Sequence, residues 1–213
     1  MKKKILEVLR EIEAGLLVKE DLNQAAEKTI SYLKELRKWN RLVNLTAENN
    51  EASILEQHFY DSLQYAQAMV NEGETIDIGS GAGFPGIPLK ILFPGLKITL
   101  LESQRKKANF LKSTLRILAL QKVEVIHDRA ENLKEDKVFQ NRFQHALFRA
   151  VADQKPSLVM GAPLIKEGGK VITKKSMKER EIAFENLPLV QEIPIKSFSG
   201  AKSKLMVFKK CFT

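Results

Sequence analysis

The 213-residue sequence predicts an α/β fold: a mostly parallel, doubly wound sheet with an antiparallel C-terminal strand, preceded by N-terminal helices. Two observations predict it. From Thr75 onward, apolar runs of strand length alternate with helical stripes, as βα units do. The first of those runs ends in a glycine-rich turn, Asp77-Ile-Gly79-Ser-Gly81-Ala-Gly83-Phe84-Pro-Gly86, of the kind that leaves a strand and enters a helix.

The elements follow in order. Ile5, Leu6, Val8, Leu9, Ile12, Leu16 and Leu17 recur at three- and four-residue steps, one apolar stripe of a first helix. Asp21 opens a second helix, with Gln24 three positions on as a capping box, and its stripe is Leu22, Ala25, Ala26, Ile30, Leu33 and Leu36. Residues 39–50 read as a structured loop, and 53–70 as a third helix. The alternating region then gives strands at 75–78, 97–101, 123–126, 146–148 and 170–173, with helices at 87–93, 105–118 and 156–164 between them. Pro94-Gly95 and Gly168-Gly169 punctuate the turns. Residues 189–195 and 204–208, joined by a Ser/Gly-rich connection, read as an antiparallel pair. With no repeat and no low-complexity linker, one domain is expected over 1–213, its helical extension (1–70) packed on an α/β core (71–213).

Composition narrows the function. A single cysteine, Cys211, excludes an internal disulfide framework and argues against a structural zinc site. His127 and His145 have no partner at metal-ligand spacing, so no metal is expected. No stretch approaches 18 uncharged apolar residues, and the basic start lacks an apolar signal region, so a cytoplasmic protein without a membrane span is expected. The net charge of +9 attracts polyanions, nucleic acid above all. Basic clusters at Arg37-Lys38-Arg41, Arg105-Lys106-Lys107 and Lys174-Lys175-Lys178 are candidate phosphate contacts.

The turn admits two cofactors. Gly81-x-Gly83-x-x-Gly86 satisfies the dinucleotide fingerprint, which makes a nicotinamide oxidoreductase one reading. Counted as Asp77-x-Gly79-x-Gly81-x-Gly83, it is the form that binds S-adenosylmethionine. A carboxylate at the strand's end favours the second, because it suits an ammonium and a sulfonium, whereas pyrophosphate wants bare amides and a helix N-terminus. About twenty residues on, Glu102 ends the next strand, placed to accept from a ribose diol. Asp128-Arg129-Ala130-Glu131 follows the third strand, where an adenine-contacting loop would sit.

Among methyl acceptors, pyrimidine carbon 5 needs a cysteine nucleophile, and Cys211 is badly placed for it. Exocyclic amines typically use an Asn/Asp-Pro-Pro-aromatic loop, which the sequence lacks. A ring nitrogen with a free in-plane lone pair, such as nitrogen 7 of guanine, needs neither base nor nucleophile. Positioning then carries catalysis and can supply roughly 7–11 kcal/mol.

From about Trp39 to Lys210 the sequence resembles the bacterial small-subunit rRNA guanine-N7 methyltransferase family, also called glucose-inhibited division protein B. Trp39-Asn40, Asn44-Leu45-Thr46, His58-x-x-Asp61-Ser62, the run from Asp77 through Phe84-Pro85-Gly86-Ile87-Pro88-Leu89, and Arg149-Ala150 carry the resemblance. It implies a Rossmann-like class I methyltransferase fold and S-adenosylmethionine contacts at Gly79, Phe84, Ala130, Glu131 and Arg149. Asp77, Gly81, Gly83 and Glu102 complete the expected cofactor site. It also implies methylation of nitrogen 7 of a guanine in the decoding-region hairpin of 16S rRNA. The partner is then 16S rRNA or the small ribosomal subunit, met by a monomer. His58, Asp61 and Arg149 are candidates for positioning, and Arg105, Lys106, Lys174 and Lys175 for RNA contact. Two positions depart from the family pattern: Lys175 stands where glycine is usual, and Gln57 where a basic residue is common. An RNA-binding module that keeps the fold without transfer activity is the remaining alternative.

Overall fold

The computed structural model describes residues 1–15, 21–48, 50–70, 73–149, 153–196, 200 and 202–211. Leu16, Leu17, Ala150 and most of the Ser/Gly-rich connection, named above, lie outside them. Helix α1 (Lys2–Gly15) buries Ile5, Val8, Leu9 and Ile12, and α2 (Leu22–Asn40) buries Ala25, Ala26, Leu33 and Leu36, the faces that the periodicity marks. Asp21 does cap α2, accepting from the Asn23 N–H at 2.8 Å.

Helix α2 runs on to Asn40, past the predicted start of a loop. Trp39 Nε1 donates to Glu35 Oε1 one turn back at 2.7 Å, and its ring meets Phe110 edge-on at 5.9 Å, so tertiary packing carries the helix further than its pattern. The predicted third helix is interrupted. It comprises α3 (Glu51–Ile54), a π-helical turn (Leu55–Phe59), α4 (Tyr60–Leu63) and a 3₁₀ turn (Gln64–Ala68). π turns of this kind concentrate at functional sites.

The strands are β1 (Glu74–Ile78), β2 (Lys97–Leu101), β3 (Val123–Ile126), β4 (Phe143–Phe148), β5 (Ile165–Ser176), β6 (Leu189–Lys196) and β7 (Lys202–Lys209). Between them lie α5 (Gly86–Leu92), α6 (Arg105–Ile117), α7 (Ala130–Leu133) and α8 (Gln154–Gly161). The sheet order is β3-β2-β1-β4-β5-β7-β6. Strands β1 to β5 pair in parallel, and β7 pairs antiparallel with both neighbours. The order reverses beside β1, between β2 and β4, and that switch point opens a crevice at the carboxyl ends of the strands.

Both faces of the sheet are covered. One apolar cluster joins Ile5 of α1, Leu33 of α2, Phe59, Ile87 of α5, Leu100 of β2 and Phe110 of α6, so the N-terminal helices share a core with the sheet. A second holds Ile76, Phe148, Leu158 and Phe208 on the other side. No helix among the described residues is long and apolar enough to cross a membrane.

His145 pins the chain before β1 to β4. Its buried Nε2 accepts from the Val70 N–H at 3.1 Å while Nδ1 lies 3.2 Å from Thr75 Oγ1, an arrangement for the neutral ring. Burial, aided by Lys170 and Lys166, lowers its pKa from 6.5 to about 4. The unfolded chain therefore takes up a proton near pH 6.5 that the folded chain refuses until about 4. Its contribution is intact above pH 6.5 and declines through that window, by on the order of 3 kcal/mol in all. Denaturant melts from pH 7.5 to 4.5 should fall off less steeply for His145→Gln than for the parent. Parallel slopes would contradict this.

Candidate active site

The glycine turn leaves β1 at the switch point. Gly79, Gly81 and Gly83 have φ of 73°, 53° and 92°, which L side chains rarely adopt. A Cβ on Gly83 would strike Ile87 at 2.4 Å and one on Gly86 would strike Leu100 at 2.4 Å, so those glycines serve packing. A Cβ on Gly81 would meet only the Gly79 carbonyl, at 3.8 Å, and so faces open space.

Six amides of the turn are bonded within the protein. Gly79 and Ser80 donate to the Leu101 carbonyl, Gly83 and Phe84 to that of Ser80, Gly81 to Glu102 Oε2 at 2.8 Å, and Gly86 to Asp77 Oδ2 at 3.0 Å. A pyrophosphate bound by the dinucleotide fingerprint needs such amides free. Here those six are committed.

Asp77 lies fully buried under the turn, and its Oδ1 has no hydrogen-bond partner. Burial raises its pKa from 3.8 to about 7, opposed by the Gly86 amide and by Arg149. Glu102, also buried, uses its other oxygen to accept from the Gln104 N–H at 2.7 Å. It thus links the turn to the start of α6, where Arg105 and Lys106 are exposed.

Gly79, Ala130 and Glu131 come together in one cleft of about 280 Å³, with Ile78, Leu101, Ser103, Asp128, Arg129 and Met160. It lies at the carboxyl ends of β1, β2 and β3. Asp128 shapes its floor, accepting from the Arg129 N–H and from Asn132 Nδ2, both at 2.7 Å. Ser103 and Met160 escaped the sequence reading: one is an ordinary loop serine, and the other comes from α8 by a long-range contact that no local pattern announces.

Phe84, His58 and Arg149 form a second group on the α4 side of the turn. The Arg149 guanidinium lies 5.2 Å from the centre of the Phe84 ring, and the His58 ring 5.3 Å from it. Tyr32, likewise missed inside the α2 stripe, donates its hydroxyl to the Ala82 carbonyl at 2.6 Å and holds the turn from below. Burial and the neighbouring Arg149 lower the His58 pKa from 6.5 to about 4.

Asp61 Oδ2 pairs with Lys174 of β5, and its Oδ1 is buried without a partner. Lys174 is thereby turned toward a carboxylate inside the protein. Lys175 occupies regular strand opposite Lys204, so its backbone makes no demand that only glycine could meet. Gln57 contributes its carbonyl, which accepts from Arg149 at 3.2 Å.

Solved structures of low sequence identity share this fold. A SAM-dependent methyltransferase from Aquifex aeolicus superposes with a TM-score of 0.55 at 13% identity, covering 84% of this chain and 98% of that one. A mutant of MtNAS solved in complex with S-adenosylmethionine gives 0.56 at 14%, covering 99% and 89%. Much nearer in sequence are two proteins named ribosomal RNA small subunit methyltransferase G. That of Dictyoglomus thermophilum is 44% identical over 173 residues, 79% of this chain and 71% of its own length. That of Caldanaerobacter subterraneus is 37% identical over 220 residues, 99% and 92%. The family model GidB, described as rRNA small subunit methyltransferase G, matches residues 25–203. With the glycine turn, the switch-point cleft and this match in agreement, the chain belongs to the GidB family of small-subunit rRNA methyltransferases.

Proposed function

We propose that this protein transfers the methyl group of S-adenosylmethionine to nitrogen 7 of a guanine in the decoding-region hairpin of 16S rRNA, acting as a cytoplasmic monomer. The observation that carries the cofactor assignment is the turn with six of its amides already bonded and a buried carboxyl group beneath it. Committed amides leave a pyrophosphate few donors, and a cationic ligand would draw Asp77, whose pKa burial raises to about 7, toward its ionised form. The names of the relatives supply the rRNA class of substrate.

The residues present fit the group. Open space at Gly81 and the cleft at Ala130–Glu131 would receive the methionine and adenine ends, and the unpartnered Asp77 oxygen offers an acceptor whose ionised form a nearby cation would favour. When bound, S-adenosylmethionine supplies a methyl group on a cationic sulfur. Guanine N7 carries no proton, so no side chain has to remove one. The protein's task is to hold the lone pair in line with the methyl, and its largest contribution is that orientation.

Arg105 and Lys106 stand at the positive end of α6, where cations are unfavourable by roughly 0.3–1 kcal/mol each, a conflict that an RNA phosphate relieves. They suit RNA contact better than Lys174, which faces Asp61.

S-adenosylhomocysteine at about 100 times its Kd should stabilise the protein by about 2.7 kcal/mol, a rise in Tm of roughly 5–10 °C, and NAD should leave Tm unchanged. The reverse pattern would restore the oxidoreductase. Within the site, Glu102→Ala should weaken that binding by about 1.5–3 kcal/mol, and by less for an analogue lacking the ribose hydroxyls. Equal losses for parent ligand and analogue would reduce Glu102 to its bonds with Gly81 and Gln104.

A further inference from the structure

Trp39-Asn40, Asn44-Leu45-Thr46 and His58 take no part in the cleft, yet the structure joins most of them in one hydrogen-bonded chain that ends on Arg149. Asn40, the last residue of α2, organises the loop after it. Its Oδ1 accepts from the Leu45 and Thr46 N–H groups at 2.7 and 2.9 Å, and its Nδ2 donates to the Thr46 carbonyl at 2.9 Å. The loop so formed presents Thr46 Oγ1 to His58 Nε2 at 3.1 Å. The π turn holds the opposite ring nitrogen, His58 Nδ1, 2.7 Å from Arg149 Nη2.

The direction of each bond follows from chemistry. A guanidinium nitrogen only donates, so His58 Nδ1 accepts, and Nε2 carries the ring hydrogen and donates it to Thr46. Arg149 Nη2 has two hydrogens. One goes to His58 and the other to the Gln57 carbonyl. With the guanidinium also lying over Phe84, its rotation is blocked, and Nε and Nη1 make no bond among the described residues. A half-buried arginine thus keeps its Nε and Nη1 hydrogens free as separate donors, with both Nη2 hydrogens clamped.

We propose that His58 is a positioning residue: a neutral imidazole, fixed in one tautomer by Thr46, that holds Nη2 of Arg149 and so aims the free Nη1 hydrogens at an acceptor oxygen of the bound cofactor. The Asp61–Lys174 pair flanks the ring from α4 and β5, and with Arg149 these are the charges that face it. This inference rests on the proposed assignment of Arg149 to the cofactor site.

The test compares His58→Asn with His58→Leu. The Asn side-chain oxygen occupies the place of Nδ1 and accepts as it does, whereas Leu leaves Arg149 without that acceptor. Nitrogen-15 NMR of the Arg149 guanidinium reads the clamp directly, and calorimetry with S-adenosylhomocysteine reads its consequence. In the parent the Nη2 hydrogens should give resolved, slowly rotating signals. His58→Leu should lose them and bind roughly 10-fold or more weakly, and His58→Asn should recover both to within about 3-fold. In methyl-transfer kinetics the loss should fall mainly on KM for S-adenosylmethionine. If His58→Leu does not fold, His58→Gln replaces it, because its longer amide reaches the Nε2 position and leaves the place of Nδ1 empty. Unchanged signals in the folded variant, unchanged affinity once they are lost, or failure of His58→Asn to restore them would overturn the proposal. If the parent shows the clamp signals but binds no S-adenosylhomocysteine, the cofactor assignment fails and the clamp stands.

Discussion

Gly81→Val should leave a folded protein that no longer binds S-adenosylhomocysteine. The Cβ of residue 81 points into space that the protein itself does not fill, its nearest contact being the Gly79 carbonyl at 3.8 Å. The branched side chain therefore meets little protein but would occupy the room in which a ligand lies against the turn. Two effects separate by size. Holding a non-glycine residue at a φ of 53° costs about 1–2 kcal/mol of stability, and a domain has about 5–15 kcal/mol in all. Overpacking against a bound ligand costs up to about 3 kcal/mol, and all of it falls on binding, so affinity should drop by roughly 100-fold. Gly95→Val is the matched control. Its Cβ would meet nothing within 4 Å and its φ is ordinary, so its binding should equal that of the parent. Calorimetry on folded Gly81→Val protein that returned the parental affinity would remove this turn from the cofactor site.

The parts of the fold that were legible are those in which a short segment decides its own state. Ile76 and Ile78 alternate with Thr75 and Asp77 along β1, and the α6 stripe repeats at helical spacing, so period alone separates strand from helix there. The antiparallel ending was legible too, but not the insertion of β7 between β5 and β6, because which edge a strand joins depends on partners far away in sequence. The extension of α2 to Asn40 rests on Trp39 reaching Glu35 and Phe110, and propensity does not register such contacts.

Strand-end logic puts residue 102 beside the glycine turn, and the Gly81–Glu102 bond joins the two. The commitment of the turn amides was invisible, since their acceptors include the Leu101 carbonyl on a neighbouring strand. So was the chain from Asn40 to Arg149. His58 and Arg149 are 91 residues apart, and no local pattern joins them. Lys174 looked like a free surface cation until the sheet placed Asp61 beside it.

The central claim concerns one atom of one base. Nitrogen 7 lies in the deep, narrow major groove of an RNA duplex, so the target guanine must be in a loop or splayed from its stack. The net charge of +9 and the exposed Arg105 and Lys106 suit such a polyanion. Borohydride reduction followed by aniline cleaves RNA at 7-methylguanine, and primer extension then stops beside the cut. A single stop is expected in the decoding-region hairpin of 16S rRNA from cells carrying the protein, and none there in cells without it. Stops that are the same in both, or methyl label recovered on adenine or cytosine, would contradict it.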